Sequence, residues 1–430
     1  MRRQPSSQPN GINIEILVSL SYNKQHIGVV SKSSSEWGWG LDLEKLKASA
    51  ISEVDDQSHQ LTELSLKIHS NPELGFQETK ASSWLTQYLE KNGFRTEQGI
   101  CELPTAFRGS YGQGKPAIAI LAEYDALPKL GHACGHNLIA ACAVGAGVAS
   151  KPVINQFGGS ILIIGTPGEE LYGGKAIMAD RGAFNEVDIA MIVHPGVYDI
   201  ATTQALACQT LDVEFFGQAA HAAARPEAGI NALEAMLQAF TAVNSLRQHI
   251  KDKARIHGII TDGGESANIV PAHSVGSFIV RAEDDTYLNE LKQRVINCFI
   301  GAATASGAHL EYKWGNTRYA PMRNNLTLAQ LFSHNMKPLG RKVHLTDPRR
   351  AFGSTDMGNV SQLVPSIHPI VAIAPVEEGV HSPQFASAAA SEAASCGLLD
   401  AAKALAMTVV DLVANPKIII KIKEEFQQQE

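Results

Sequence analysis

Four short apolar runs, Ala117–Ala122, Ser160–Gly165, Ile189–Val193 and Ile370–Ala374, set the terms on which this chain can fold. A strand that is apolar on both faces has to be covered on both, which is the condition of a parallel sheet packed between helices. The small-residue segment Leu138–Val148 lies between the first two runs and reads as the crossover helix such a sheet requires. Upstream, Leu61, Leu64, Leu66 and Ile68 mark a helical segment that ends at Asn71-Pro72, and a second helix near Thr79–Asn92 is stopped by Gly93. The texture is α/β.

The middle of the chain reads differently. Leu211–Phe216, Arg255–Thr261, Ser274–Arg281 and Leu310–Trp314 have strand character, and Ile230–His249 and Tyr287–Ala305 are helical. Their order is the β-α-β-β-α-β of a ferredoxin-like α+β unit. Inserted over 208–316, such a unit leaves one α/β domain in two segments, 41–207 and 317–430. That division suits 430 residues, too many for one ordinary domain. Residues 1–40 stand apart, with Ser/Gln/Pro/Asn-rich stretches, Arg2 and Arg3 at the start and Glu15 as the one acid before Glu36. They are expected to be a loosely ordered extension with a faint likeness to a transit peptide; Ile14–Val18 is too short for a secretory core.

With 36 basic and 43 acidic residues the formal charge is −7, which argues against nucleic acid and against a polybasic membrane contact as partners. Apolar runs fall short of the roughly 18 residues that span a bilayer. The six cysteines, Cys101, Cys134, Cys142, Cys208, Cys298 and Cys396, form no CxxC pair, so a reducing compartment, the cytoplasm, is expected.

Chemistry collects where the apolar strands end. The first runs into Glu123-Tyr124-Asp125, with His132-Ala133-Cys134-Gly135-His136-Asn137 close behind. The second runs into Gly168-Glu169-Glu170, the third into His194, and the fourth leads to His381. Ligands of open α/β sheets bind outside the carboxyl ends of strands, so these residues can converge on one crevice. Thiolate, imidazole and carboxylate together suit zinc or manganese. Glu169 and Glu170, on an extended segment, would point to opposite sides, one ligating and the other facing an activated water that needs a general base. Taken singly, each feature has a plain structural explanation: a core cysteine, a capping histidine, a solvated acidic turn. The stretch Gly168 to Lys175 imitates a phosphate loop but has an extra glycine, no Ser/Thr after the lysine and two acids that would repel phosphate. Neither a dinucleotide fingerprint after a strand nor a serine nucleophile elbow is present.

His132-Ala-Cys-Gly-His136-Asn137, Gly168-Glu169-Glu170, His194-Pro195 and Val380-His381-Ser382-Pro383 together resemble the co-catalytic metallopeptidases related to aminoacylase, carnosinase and glutamate carboxypeptidase. The cysteine points to their amidohydrolase branch. Glu123-Tyr-Asp125-Ala-Leu-Pro128 and Gly353-Ser-Thr-Asp356-Met-Gly-Asn-Val-Ser361 are similar to the Xaa-Arg (β-alanyl-lysine) dipeptidase and aminobenzoyl-glutamate hydrolase subgroup. Many auxin-type members have Arg-Ala-Asp-x-Asp where this chain reads Ala-Glu123-Tyr-Asp125, a mark of that subgroup. The resemblance spans about Leu41 to Leu412 and implies a mixed-sheet catalytic domain with an inserted ferredoxin-like lid and dimerisation domain. It implies two divalent ions held by Cys134, His136, Glu170, His194 and His381, with Glu169 as general base and Asp125 orienting the first motif. It also implies a homodimer through the lid. There Phe216-Gly217-Gln-Ala-Ala-His221 resembles the motif whose histidine polarises the scissile carbonyl, often in the partner's site, and Asn268 and Arg281 match substrate-contacting positions. The expected activity is hydrolysis of a small amide, a dipeptide such as β-alanyl-lysine or an N-acyl amino acid such as aminobenzoyl-glutamate. Two other classes compete. A non-catalytic metal-binding regulator would need no Glu169, and a thiol-redox enzyme on Cys134 would need a resolving partner, for which Cys142 on a helix is a poor choice.

Overall fold

The computed structural model describes residues 40–347 and 353–428, so the extension read over 1–40 lies outside the described residues except at its last position. Twelve strands are formed among them: β1 (Arg95–Gln98), β2 (Phe107–Gln113), β3 (Ala117–Ala122), β4 (Gly159–Gly165), β5 (Ile189–Met191), β6 (His194–Gly196), β7 (Ala207–Phe216), β8 (Arg255–Asp262), β9 (His273–Ala282), β10 (His309–Tyr319), β11 (Ser366–Ile367) and β12 (Ile370–Ala372). Six make a mixed sheet in the order β1-β2-β4-β3-β5-β11. β4, β3, β5 and β11 run parallel, and β1 and β2 are antiparallel additions at one edge. All four parallel strands therefore present their carboxyl ends on one side, which fixes where a site can be built.

Both faces of this sheet are buried, as the apolar runs require. Ile118, Ile120, Ile161 and Ile163 face one core, while Ala119, Leu121, Leu162 and Ile164 face another, the two-residue alternation of a strand. The first core is closed by the helix His136–Ala149, buried along its whole length and packed against the helices Ser58–His69 and Glu392–Ala414. The segment His136–Phe157 is long and apolar enough to cross a membrane, contrary to the reading from run lengths, because two successive helices join in it; most of it is buried inside the protein. The second core is closed by the helices Gly174–Asp180 and Met357–Leu363.

The third and fourth apolar runs depart from expectation. The third stops at Met191, and His194 opens a separate strand; the fourth pairs in parallel with that strand rather than with the central sheet, Ile370 opposite His194. Ser366–Ile367 takes the sheet edge next to β5 instead.

Residues 207–319 form a second, antiparallel sheet, β10-β7-β9-β8, with its own core. That order is the ferredoxin-like arrangement of a β-α-β-β-α-β chain. Its helices Ala232–Arg247 and Asp285–Ser306 are started by Asn231 and Asp284, whose side chains accept the N–H of Glu234 and Tyr287. At one end of this sheet three strands are tied by an imidazole: His273 Nε2 lies 2.9 Å from Glu214 and Nδ1 3.1 Å from Asp262. The bonds to Glu214 and Asp262 raise the His273 pKa above that of an ordinary histidine. A raised folded-state value stabilises the fold below the unfolded histidine's range and ceases to do so as pH rises through the raised value. His273→Ala is therefore expected to lower the melting temperature at about pH 5.5 and to leave it nearly unchanged at about pH 9. An equal loss at both would mean the ring acts by packing on Phe216 alone.

Candidate metal centre

The carboxyl ends of β3, β4 and β5 deliver Asp125, Glu170 and His194 to one crevice, and the start of the helix His136–Ala149 delivers His136. Cys134 Sγ lies 3.4 Å from His194 Nε2. His194 Nδ1 lies 2.6 Å from the carbonyl of Pro195, which turns the opposite ring nitrogen toward the cluster. Asp125 does the same for His136, 2.9 Å from its Nδ1, and its second oxygen accepts the N–H of Glu170 at 3.0 Å. One buried carboxylate thus positions two of the residues read as ligands. His381 arrives from the loop after β12, its N–H donating to the carbonyl of Ala133 at 2.8 Å and its Nε2 3.4 Å from Glu170. Its φ of +64° is uncommon for a residue with a Cβ, and such strain gathers at working sites.

Two glycines are required by this geometry. Gly135 has φ +76°, and a Cβ there would come within 2.5 Å of Pro195. Gly168 has φ +71°, a Cβ would reach Phe76 at 2.9 Å, and its N–H donates to Glu78 at 2.8 Å. This turn corrects one expectation. Glu169 and Glu170 do not lie on an extended segment but open the helical turn Glu169–Tyr172, where successive side chains diverge by about 100°. Tyr319, at the end of β10, donates to the Glu169 carbonyl at 3.0 Å and holds the turn from the lid side.

The donor atoms fall into three groups, each within 4.8 Å: Cys134, His136 and His194; Cys134, Glu170 and His381; His136, Glu169 and Glu170. His136 Nε2 and Glu170 Oε1 are buried without a hydrogen-bond partner among the described residues, the condition of atoms that face a cation. The residues present therefore fit divalent ions. Burial lifts the Cys134 thiol, with the Glu170 charge adding to it, and lowers His194. Burial would also raise Glu170, but the bond from His381 and the charge of His136 outweigh it and pull the carboxyl down to about 2. Glu169 moves the other way: burial and the negative charges of Glu123 and Asp356 hold it well above the ordinary range. Two neighbouring carboxylates are thus pushed apart, the pattern that divides a ligand from a base.

Behind the cluster lies a charged triad that the strand-end reading did not resolve. Lys175, fully buried, sits 2.5 Å from Glu123 and 2.7 Å from Asp356. Rejecting the phosphate loop left Lys175 without a role; its burial is invisible in composition. Asp356 was legible only as part of a motif. A second unread residue is His368, buried at the end of β11 with its ring 5.5 Å from that of His194. Burial pushes its pKa down to about 3. The signal was the same as for His194, a histidine ending an apolar strand, but the strand has only two residues.

The crevice has a volume of about 870 Å³ and is lined by Cys134, Glu169, Glu170, His194 and His381 together with Arg281 of β9. Arg281 donates to Ser354 at 2.9 Å, and its Nε has no partner among the described residues. His221 and Asn268 are not brought there. Both lie exposed on adjoining lid loops, His221 Nδ1 accepting from Ala223 and Ala224, and Asn268 Oδ1 from Ser266.

Residues 209–301 match the peptidase dimerisation domain of M20 proteins. The chain is 36% identical over 402 residues to the Xaa-Arg dipeptidase of Mus musculus, an alignment covering 90% of this chain and 93% of the relative. It is 30% identical over 449 residues to one of the two p-aminobenzoyl-glutamate hydrolase polypeptides of Escherichia coli, covering 87% of this chain and 93% of that relative. In structure it is similar to a dinuclear metal-binding peptidase of the M20 family from Bacillus subtilis, with a TM-score of 0.63 at 20% identity over 84% of this chain and 99% of that one.

Proposed function

The chain belongs to the M20 peptidase family, and on that premise we propose that it is a dinuclear metallo-dipeptidase for Xaa-Lys and Xaa-Arg dipeptides, β-alanyl-lysine among them. It is a hydrolase of peptide or linear amide bonds in dipeptides or N-acyl amino acids. The observation that carries the dinuclear hydrolase reading is the convergence of Cys134, His136, Glu170, His194 and His381 at one crevice, beside the Glu169 carboxyl that burial and neighbouring charges hold above the ordinary range.

Those five residues would hold two divalent ions, and the donor groups overlap pairwise through Cys134, His136 and Glu170, as donors to adjacent ions do. Sulfur, nitrogen and oxygen donors together favour zinc or manganese. When bound, the ions would polarise the scissile carbonyl and render a water nucleophilic. Glu169 takes the proton of the attacking water and returns it to the leaving nitrogen. Asp125 keeps the His136 ring and the Glu170 backbone in place while this happens. Arg281, which lines the crevice, offers a guanidinium to the substrate carboxylate. His221 and Asn268 would act from the lid of a partner chain in a homodimer, since both are exposed here. Free, scattered cysteines support work in the reducing cytoplasm.

Aminobenzoyl-glutamate is the second reading, favoured by the relative at 30% identity and by Arg281. The test is a panel of Xaa-Lys, Xaa-Arg, Xaa-Glu and N-acyl substrates with metal-reconstituted protein. Xaa-Lys and Xaa-Arg are expected to give the highest kcat/KM, a chelator to abolish turnover, and added zinc or manganese to restore it. Preference for aminobenzoyl-glutamate would move the assignment to the second reading; cleavage that survives complete metal removal would sink both.

A further inference from the structure

We propose that Glu78 is a positioning residue for the reaction: by accepting the Gly168 N–H, it sets the turn that aims the Glu169 carboxyl. The inference rests on the hydrolase reading above and adds to it a residue outside the crevice. Glu78 is fully buried, does not line the crevice and belongs to none of the three donor groups. One of its oxygens accepts the N–H of Gly168 at 2.8 Å, and the other accepts the Thr105 hydroxyl at 2.8 Å. Its place in the chain suits a plainer task, since it stands at the N-cap of the helix Thr79–Lys91, yet its side chain makes no cap bond there. That work falls to Glu73, whose carboxylate accepts the N–H groups of Lys80 and Ala81 at 3.0 Å. A carboxyl out of water is costly unless its oxygens are bonded, and one of the two bonds here comes from the turn that carries the base.

The segment 73–78 braces both strand-end loops. The Glu73 carbonyl accepts the N–H of Ala126, beside Asp125, at 2.8 Å. The Phe76 ring stacks on Tyr172, at the far end of the Glu169 turn, with ring centres 4.9 Å apart. Glu78 completes the brace at the near end. Asp125 takes the Glu170 N–H and Tyr319 donates to the Glu169 carbonyl, so Glu78 holds the remaining point, the glycine itself. That point matters most for direction. Gly168 is the residue of the turn with the widest backbone freedom, and its left-handed conformation decides how the next side chain leaves the chain. Glu170 keeps its own anchor on Asp125, so losing the bond at Gly168 falls on the base rather than on the ligand. A displacement of about 1 Å in a reacting group can cost about 100-fold in rate, even when the change lies away from the chemistry.

The test compares metal-loaded wild type, Glu78→Asp, Glu78→Ala, Glu78→Gln and Thr105→Val on the best dipeptide of the panel. Metal content and melting temperature are measured alongside, and kinetics are run well below every melting midpoint. Asp is one methylene short of Gly168, whereas Gln keeps both the reach and an acceptor oxygen. Burial lifts the Glu78 carboxyl to about 7, so an uncharged amide is a fair stand-in near neutrality. In Glu78→Asp and Glu78→Ala, kcat is expected to fall by about 100-fold with KM changed by less than about threefold and the ions per chain unchanged. Glu78→Gln recovers kcat to within about threefold of wild type. Thr105→Val, which strips only the other oxygen of its partner, lowers the melting temperature and leaves kcat within about threefold, so lost stability is told apart from lost aim. The role is overturned by folded Asp and Ala variants within about threefold of wild type, by Gln or Thr105→Val as slow as Ala, or by a loss carried by KM or by missing metal. Failure of both Asp and Ala to fold would likewise make Glu78 a residue of the fold alone. Wild type that cleaves no amide at all sinks the hydrolase reading itself, whereas a fully active Glu78→Ala enzyme sinks only the assignment of Glu78.

Discussion

Glu169→Gln is expected to lower kcat by a factor of about 10² to 10⁴ while the protein keeps its fold and its metals. Gln has the shape of Glu and cannot accept the proton of the attacking water. The bond that holds this turn from the lid, Tyr319 to the Glu169 carbonyl, is to the main chain and survives the change. The loss corresponds to about 3–5 kcal/mol of barrier, the contribution of a positioned proton acceptor. The environment supports that assignment, because burial and the charges of Glu123 and Asp356 raise Glu169 while its neighbour Glu170 is drawn down to about 2. Steady-state kinetics with metal analysis separates the outcomes. Near-normal kcat with full metal would move the base elsewhere. A lost ion would make Glu169 a ligand, as its place in one donor group allows.

The second large effect is on stability. Among the described residues, Lys175→Met removes the one cation within 4 Å of Glu123 and Asp356 other than the imidazole of His136. Breaking a buried ion pair from one side costs about 3–5 kcal/mol, because the charge left behind has lost its partner and has no water. In the wild type, burial raises Asp356 to about 6 even with Lys175 beside it. Burial would raise Glu123 too, but Lys175 holds it at about 2. Glu123 thus stabilises the fold above the unfolded carboxyl's range and loses that contribution as pH falls toward 2. Without the lysine both carboxyls are raised, the folded state binds more protons, and the variant's deficit shrinks as pH falls from neutral. Denaturant unfolding at two pH values reads this directly, and adding Glu123→Gln is expected to recover part of the loss. A Lys175→Met protein as stable as wild type at neutral pH would mean the triad packs no better than apolar side chains would.

The carboxyl-end reading worked because the strands that matter are apolar on both faces, and Ala117–Ala122 and Gly159–Gly165 have few other ways to be buried. The lid was legible for a different reason: β9 alternates buried and half-buried residues along its length, and two helices follow β7 and β9 in order. What escaped had no periodicity to show. A two-residue strand such as Ser366–Ile367 leaves no pattern, so the histidine that follows it looked incidental. Lys175 belongs to a residue type that is usually solvated, and only the fold reveals that two acids from distant segments surround it. The helical turn at Glu169 depends on Gly168 taking a left-handed conformation, a local choice made by contact with Phe76 and Glu78 rather than by the sequence of the turn.

The placement of His381 has a bearing on how the protein comes into being. Its backbone is fastened to Ala133, and β11 docks beside β5, yet both are made only after the ribosome has finished the whole lid. A nascent chain that has emerged as far as β10 already carries Cys134, His136, Glu170 and His194, but lacks the last imidazole and the sheet edge that closes over them. Metal capture by such a chain would be incomplete and its thiol open to oxidants. The full set of donors that would hold metal is therefore assembled only once the final quarter of the chain has been made.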